Sequence, residues 1–553
     1  MEDRASLRIV NITDIYKLDN FPSLKTLIEE EKQAIAAENE STTLLSILTG
    51  DFLAPYLLSS FDKGTGMTEM LNSTPIDIVI FGNHEDDIEH RFVCKRVEDY
   101  KGIWINTNMQ SYEMMHLQVP YHIVEVVSKN GSQKRKIGFI GVLSDSSGLY
   151  RANAFNGAKI EDPHETIAKY KKKLEEEEHC DLVIPLCHLY VPQDRVTCEL
   201  FDLPLILSGH DHHVVDEVHH GTRLLKAGAD GNKAVVVNIS WDNSSSTSPT
   251  ITHKIVPVTD YKPDEELQQK VNRAYSVLEH LRNTQLSGIP EKYLPLSSFG
   301  SRSQLNTVSS FLWTSLRNEL NSKEENSVDC VLISGGNVRG EKNYADSHKF
   351  TLEDLKSEVQ GSLEACVLEM PGRVLSEGIK ASHEETNPGF MQFDDGVQLD
   401  ENKNVVQIAG KPFEQDKIYK VVSTKWDLTD SNDPWRNYFK KNAIPDDDHF
   451  WEVYSAICSH FAMNVWKEIW RRIDTNNDGV WSKEEMAVID TDNDGRVSKK
   501  ELAAMMRNIG FDVDDEEISF VDCIMEVAGD VNGDGYLSEE EIANSSLAKK
   551  SLK

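Results

Sequence analysis

Six residues in the first half of this sequence have side chains that bind metals, and each follows a short apolar run. They are Asp14, Asp51, Asn83, His188, His210 and His212. Their frames include Gly50-Asp51, Gly82-Asn83-His84-Glu85 and Gly209-His210-Asp211-His212. A lone histidine or aspartate at a strand end is usually structural. Five strand ends that each deliver such a donor point instead to one spot, because ligands in open α/β sheets gather at the carboxyl ends of strands. Carboxylate, amide and imidazole together suit two divalent ions such as Zn, Mn, Fe, Co or Ni better than one.

These donors need a scaffold. The apolar runs are 7–12, 44–48, 76–81, 136–143, 181–186 and 203–208. They are short, rich in Ile, Val and Leu, and poor in polar alternation, which predicts strands buried on both faces of a layered α/β domain. Leu267, Val271, Leu278 and Leu281 recur at helical spacing over 263–283 and predict a connecting helix, which Gly288, Pro290 and Pro295 then end. A second α/β region follows, and acidic residues 446–448 mark a further boundary. The expected division is 1–258, a linker or hinge at 259–297, then 298–450 and 455–553.

The order Asp14, Gly50-Asp51, Gly82-Asn83-His84-Glu85, His188, Gly209-His210-Asp211-His212 resembles the calcineurin-like metallophosphoesterases. The resemblance implies a four-layer α/β/β/α sandwich and hydrolysis of a phosphoester by a hydroxide bridging two metals. It assigns Asp51 as the bridging ligand. Asn83, His188 and His210 would hold one ion, and Asp14 and His212 the other. His84 would be a non-ligand donor to the phosphoryl or leaving oxygen, oriented by Asp87. One position departs from the pattern: Tyr16 stands where the family's Asp-x-His opening has histidine, and nearby Asp19 is a candidate replacement ligand.

In the second region, Gly335-Gly336 follows an apolar run and precedes Arg339, a fork-shaped donor suited to phosphate or carboxylate. With the motif order over 5–440, this resembles the 5′-nucleotidase branch of the superfamily. The resemblance implies an α/β substrate-binding domain that rotates to carry substrate to the metals. It implies two aromatics that sandwich a base, Phe390 within Pro388–Gln392 and Trp426 on the strand Tyr419–Trp426, and a base-contacting Asp433. Asn337 and Pro434 depart from the family's glycine-rich motifs.

The C-terminal region carries three loops of the form D-x-[DN]-x-[DN]-G-x₅-E. The first offers Asp474, Asn476, Asp478, Val480, Ser482 and Glu485. The second offers Asp490, Asp492, Asp494, Arg496, Ser498 and Glu501, and the third Asp530, Asn532, Asp534, Tyr536, Ser538 and Glu541. Oxygens at positions 1, 3, 5, 7, 9 and 12, with glycine at 6, describe an all-α EF-hand module that binds calcium. The second and third loops have room for an exiting and an entering helix between them, so they should pair. Met486 to Ile489 is barely one turn, so the first loop must share a helix with the second. The helix entering the first loop, 459–473, carries an apolar stripe that is either internal core or a docking surface on the enzyme.

Composition excludes other classes. The 553 residues carry a net charge of −34, which argues against a partner of polymeric nucleic acid. No run reaches the roughly 18 apolar residues of a membrane span. With no apolar leader at the start, the chain reads as cytoplasmic if Met1 is the natural start. Eight cysteines without a C-x-x-C pair read as core usage, not a disulfide framework or thiolate zinc site. The expected partner is a nucleotide or other small phosphoester, with a protein partner for the calcium module possible. The leading expectation is a metal-dependent, 5′-nucleotidase-like hydrolase regulated or stabilised by calcium. The alternatives are a calcium-sensing scaffold with an inactive phosphatase domain, and a hydrolase of cyclic nucleotides or other phosphoesters.

Overall fold

The computed structural model describes residues 4–553 apart from 39–40, 55–57, 89, 147–148, 151–152, 283–284, 288, 323–326, 346–349, 360–362, 385–388, 446–448, 476–480, 509–520, 522–524, 526–529, 531–533 and 545–553. The chain divides into two compact units, one of residues 1–59 and 63–274 and one of 60–62 and 275–553.

The first unit contains twelve described strands. They are β1 (Ala5–Ile12), β2 (Thr42–Leu48), β3 (Ile78–Ile80), β4 (Ile103–Ile105), β5 (His122–Val127), β6 (Lys134–Leu143), β7 (Leu182–His188), β8 (Leu205–Ser208), β9 (Val214–His219), β10 (Thr222–Ala227), β11 (Lys233–Trp241) and β12 (Thr250–Pro257). They form two six-stranded sheets, ordered β12-β11-β1-β2-β3-β4 and β5-β6-β7-β8-β10-β9. Strands β1 to β4 run parallel, as do β6, β7 and β8.

All six apolar runs lie in strands, namely β1, β2, β3, β6, β7 and β8. They are apolar because both faces are covered. Leu7, Ile9, Ile47 and Ile78 of one sheet share a core with Ile137, Phe139, Ile184 and Leu207 of the other. On the outer face of the second sheet, Val142, Val183 and Ile206 meet Ile167, Leu174 and Cys198 from the helices Pro163–Glu176 and Val191–Leu200. On the other side the helix Phe21–Glu38 buries Leu24, Leu27 and Ile28. This is a four-layer α/β/β/α arrangement. Among the strands not anticipated, β12 alternates exposed and half-buried residues, the pattern of an edge strand.

The expected connecting helix spans Glu265–Arg282. Asp264 begins it, accepting from the Leu267 backbone N–H at 2.8 Å. The unit boundary at 274/275 falls within this helix. The side chains of Leu278 and Leu281, and Gly288, lie outside the described residues, as do 446–448.

The second unit is built on a five-stranded sheet. Its order is Met391–Phe393, Cys330–Ser334, Ile418–Ser423, Glu364–Pro371, Trp451–Glu452. Leu332, Leu368, Val421, Leu375, Ile379 and Trp435 form its core with the helices Gly372–Glu384 and Asp433–Phe439. The edge strand Trp451–Glu452 runs directly into a 21-residue helix, Val453–Ile473. The first half of that helix buries Val453, Ile457, Cys458 and Phe461. Phe461 sits 5.8 Å from Phe311 of the helix Thr307–Ser322. The second half buries Trp470 and Ile473, and Trp470 stacks on Trp481 at 4.7 Å. The stripe is therefore core at both ends, and the side chains of Val465, Trp466 and Ile469 lie outside the described residues.

The second and third calcium loops pair as expected. Arg496–Ser498 and Tyr536–Ser538 form an antiparallel ribbon with Val497 opposite Leu537, both fully buried. The exiting helix is Lys499–Asn508, with Leu502 and Met506 buried. Ile509, Ile518, Ile524 and Ala528 lie outside the described residues, while Val521 and Met525 are buried. Between the first and second loops there is one short helix, Lys483–Met486.

Candidate metal centre and substrate cavity

The parallel strands of both sheets in the first unit end at one place. Asp14 follows β1, Asp51 follows β2, Asn83 follows β3, His188 closes β7, and His210 and His212 follow β8. Asp14, Asp51, His188 and His210 are at most 1% exposed, and Asn83 is 3% exposed. Two sets of donor atoms cluster within 4.8 Å, namely Asp51, His188 and His210, and Asp14, Asp51 and His212. Asp51 belongs to both. Its Oδ2 lies 3.0 Å from His188 Nε2. Asp14 Oδ1 lies 3.6 Å from His212 Nε2 and 3.9 Å from His188 Nε2.

The backbone is bent to make this arrangement. Asp14, Asp51, His210 and His212 all have positive φ, at 54°, 55°, 87° and 52°. Left-handed backbone at a non-glycine residue persists only where the surroundings fix it, and such residues cluster at functional sites. Two glycines allow the close approach. A side chain on Gly50 (φ 85°) would meet His188 Nδ1 at 2.5 Å, and one on Gly82 would meet Asp51 Oδ1 at 2.1 Å.

The donor set fits divalent ions. Asn83 Oδ1 is buried without a hydrogen-bond partner, as expected of an oxygen kept for a cation. The Thr49 carbonyl, 2.8 Å from His188 Nδ1, fixes that ring so that Nε2 faces the carboxylates. Burial opposes charge on Asp51, yet His188 and His84 hold its carboxyl well below the usual range.

His84 lies beside the donors. Its backbone N–H donates to Asp51 Oδ1 at 2.8 Å, and its Nδ1 is 2.6 Å from Asp87 Oδ2. Burial works against a charged imidazole there, but the Asp87 and Asp51 carboxylates hold its pKa up at about 10. An imidazolium anchored through Nδ1 has Nε2–H left to donate.

Tyr16 lies beside the second cluster. Its hydroxyl is 2.9 Å from His212 Nε2 and donates to Asp51 Oδ2 at 3.2 Å. Burial and the nearby Asp51 and Asp14 push the phenol well above its usual pKa, so it is neutral. Asp19 is exposed and belongs to neither cluster.

Two supports were not anticipated. Glu85, fully buried, accepts from the backbone N–H groups of Asp51, Phe52, Leu53 and Gly82 at 2.6–3.1 Å. It ties the loop after β2 to the loop after β3. Lys226, 1% exposed, pairs with Asp194 and Asp211 and donates to the Leu189 and Gly209 carbonyls at 2.7 and 2.6 Å. It holds the loop that carries both His210 and His212. The motif Gly-Asn-His-Glu signals Glu85. Lys226 has no local signal, because its partners come from elsewhere in the chain.

In the second unit a cavity of about 370 Å³ is lined by Arg302, Ser334, Gly336, Asn337, Arg339, Leu363, Glu364, Thr424, Lys425, Trp426 and Phe450. Trp426 is 45% exposed. It stands not on the strand, which ends at Ser423, but on the following helix Lys425–Thr429. Thr424 caps that helix and so turns the chain out of the sheet. Arg302 and Lys425 join Arg339 in supplying positive charge.

Two expected substrate contacts are not brought to this cavity. Phe390 is 6% exposed, and its ring lies flat on His383 at 4.1 Å and 8°. It enters the strand Met391–Phe393 from inside the core, and the second aromatic on the cavity is Phe450. Asp433 pairs with Arg436 at 2.6 Å in the first turn of its helix. Asn432 caps that helix and proline opens it, so this segment serves helix initiation. Pro388 lies outside the described residues.

In the calcium module, Asp490, Asp492 and Glu501 converge within 4.8 Å. Backbone N–H groups of Asp494 and Gly495 donate to Asp490 at 3.1 and 2.9 Å, with Gly495 at φ 84°. The third loop repeats this: Asp534 and Gly535 N–H donate to Asp530 at 3.1 and 2.9 Å. Arg496 and Tyr536, at position 7, donate their N–H groups to Asp494 and Asp534. Position-12 residues Glu485, Glu501 and Glu541 each accept from the backbone N–H of the position-9 serine, Ser482, Ser498 and Ser538. Asp474 is buried at the start of the first loop. Asn476, Asp478, Val480 and Asn532 lie outside the described residues.

Residues 7–214 match the family model of the calcineurin-like phosphoesterases, and 483–545 that of the EF-hand domain pair. The chain carries both domains. NAD nucleotidase from Haemophilus influenzae superimposes with a TM-score of 0.63 at 13% identity, covering 84% of this chain and 97% of that one. A Staphylococcus aureus protein assigned as a 5′-nucleotidase, in complex with alpha-ketoglutarate, gives 0.50 at 13% identity, covering 82% and 96%. These likenesses show a shared fold. No curated protein sequence matches the chain. No described helix is long and apolar enough to cross a membrane.

Proposed function

We propose that this phosphoester hydrolase acts on nucleotides, releasing phosphate at the centre around Asp51, and that calcium tunes its substrate domain. The observation that carries the reading is the pair of donor clusters that share Asp51. Asn83, His188 and His210 would hold one divalent ion, and Asp14 and His212 the other, with Asp51 common to both. Ions bound there would draw charge from phosphoryl oxygens and acidify a water.

The chain's own groups do the rest. His84, anchored by Asp87, donates Nε2–H to the phosphoryl or leaving oxygen. Tyr16 keeps Asp51 and His212 in place through its hydroxyl. Arg302, Arg339 and Lys425 supply charge for the anionic part of a substrate in the second unit, and Trp426 offers a face for a planar base. The structural neighbours with nucleotidase names favour a nucleotide over other phosphoesters.

The calcium proposal rests on continuity within the second unit. Phe450 lines the cavity, Trp451–Glu452 completes the sheet, and Val453–Ile473 runs without a break to Asp474, the first residue of a calcium loop. A change in that loop moves one end of a helix whose other end borders the cavity. The test is phosphate release from nucleoside mono-, di- and triphosphates, cyclic nucleotides and sugar phosphates, with Mn, Zn, Co or Mg, with and without calcium. Turnover of nucleotides with a calcium-dependent KM supports the reading. Turnover confined to sugar phosphates or cyclic nucleotides would replace the substrate class.

A further inference from the structure

Away from the Asp51 centre, the described residues of the first unit hold two further groups of metal-binding side chains, and one of them, His90, Cys94 and Glu113, includes a thiol. His90 and Cys94 stand one turn apart on the helix His90–Asp99, so they share a face. Glu113 opens the short 3₁₀ turn Glu113–Leu117. Cys94 Sγ lies 3.3 Å from His90 Nε2 and 3.8 Å from Glu113 Oε1, and His90 Nε2 lies 2.5 Å from the same oxygen.

The arrangement is that of a ligand set, not of a proton relay. In a Cys–His–carboxylate relay the imidazole uses both nitrogens, one toward the thiol and one toward the acid. Here one nitrogen, Nε2, faces both groups, and Nδ1 bonds to neither. Three donors therefore point at one spot. With zinc bonds of about 2.3 Å to sulfur and 2.0–2.2 Å to nitrogen or oxygen, the edges of a tetrahedron come to roughly 3.3–3.6 Å. The two edges at sulfur are close to this. The third is the hydrogen bond that an ion would displace.

The surroundings hold the donors in place. Tyr112, 2% exposed, sets its ring edge-on to His90 at 5.7 Å and its hydroxyl 4.0 Å from Cys94 Sγ. Asn156 Nδ2 donates to Glu113 Oε1 at 3.3 Å. The Glu113 side chain is 54% exposed, which leaves a path from solvent and room for a fourth ligand.

We propose that His90, Cys94 and Glu113 form a mononuclear site for zinc or a similar borderline divalent ion, separate from the Asp51 centre. A thiolate excludes calcium and magnesium, which take oxygen ligands. None of the three belongs to the phosphoesterase motifs. Helix His90–Asp99 begins three residues after Asp87, so an ion here would tie the segment carrying His84 and Asp87 to the Glu113 turn.

The test uses the full chain, stripped of transition metals, kept in calcium and titrated with cobalt(II). Near-ultraviolet charge-transfer absorption from a cobalt–thiolate bond reports this site, since the Asp51 centre has no sulfur ligand. The expected result is absorption that saturates, is removed by zinc, persists in Asp51→Asn and is lost in Cys94→Ser. Glu113→Gln, at a half-exposed position, should weaken cobalt binding by about tenfold or more. Absence of the band in the parent protein, its survival in Cys94→Ser, or unchanged cobalt affinity in folded Glu113→Gln would overturn the proposal. If Cys94→Ser does not fold, Glu113→Gln decides alone.

Discussion

The Tyr16 hydroxyl lies 2.9 Å from His212 Nε2, inside the cluster formed by Asp14, Asp51 and His212. A neutral phenol stands beside these donors, where the resembled family has an imidazole. Tyr16→His should therefore tighten the ion held by Asp14 and His212 by about tenfold, a typical scale for tuning a metal site. Metal retention against a chelator, read by elemental analysis, checks this. Equal retention in both proteins would mean that the Tyr16 position does not limit the site.

If His84 donates Nε2–H while Asp87 holds Nδ1–H, it does so only while protonated, so activity should fall as pH rises through its pKa. Asp87 raises that pKa. Asp87→Asn should move the alkaline limb of kcat to lower pH, by about one unit or more, the scale of one nearby charge. An unmoved limb in the variant would remove His84 from the step.

The two aromatics of the second unit should separate cleanly. Trp426→Ala removes an exposed face on the cavity and should raise KM for nucleotides, with about 1–3 kcal/mol lost and kcat little changed. Phe390→Ala removes a buried ring stacked on His383 and should cost about 3–5 kcal/mol of stability. Chemical denaturation and steady-state kinetics on both variants test the contrast. A KM effect from Phe390→Ala at unchanged stability would return it to the substrate site.

Calcium at 100 times its dissociation constant should stabilise the fold by about 2.7 kcal/mol per site. Glu501→Gln with Glu541→Gln removes both paired position-12 carboxylates. The double variant should lose most of the calcium-dependent rise in Tm, measured by thermal unfolding with calcium or a calcium-selective chelator. A rise equal to that of the parent protein would place the stabilising ion elsewhere.

Much of the first unit was legible because burial on both faces leaves unbroken apolar runs, as in Ile137–Leu143 and Leu182–Leu186. Strand β12 was not, since an edge strand alternates with solvent and carries no such run. The donors were legible from their place after each run, and calcium loops from fixed spacing. Phe390 and Asp433 do not line the described cavity, because a motif names a residue type without its packing. The ring of one turns into the core, and the carboxylate of the other serves a helix start. Lys226 was invisible for another reason: its partners Asp194 and Asp211 and the Leu189 and Gly209 carbonyls meet it only in the folded chain. The Cys94 cluster is similar, since Glu113 joins His90 and Cys94 from a separate turn.

If the Asp51 carboxylate unites two metal positions at which phosphoesters are hydrolysed, removing its charge must cost both metal and turnover. The most direct measurement is phosphate release by Asp51→Asn beside the parent protein, with metal content determined on the same samples. The expected result is a fall in kcat of at least about 10²–10³-fold, the scale of losing one group that stabilises the transition state, together with loss of the transition metal held at this centre. Turnover and metal content equal to those of the parent protein would contradict it.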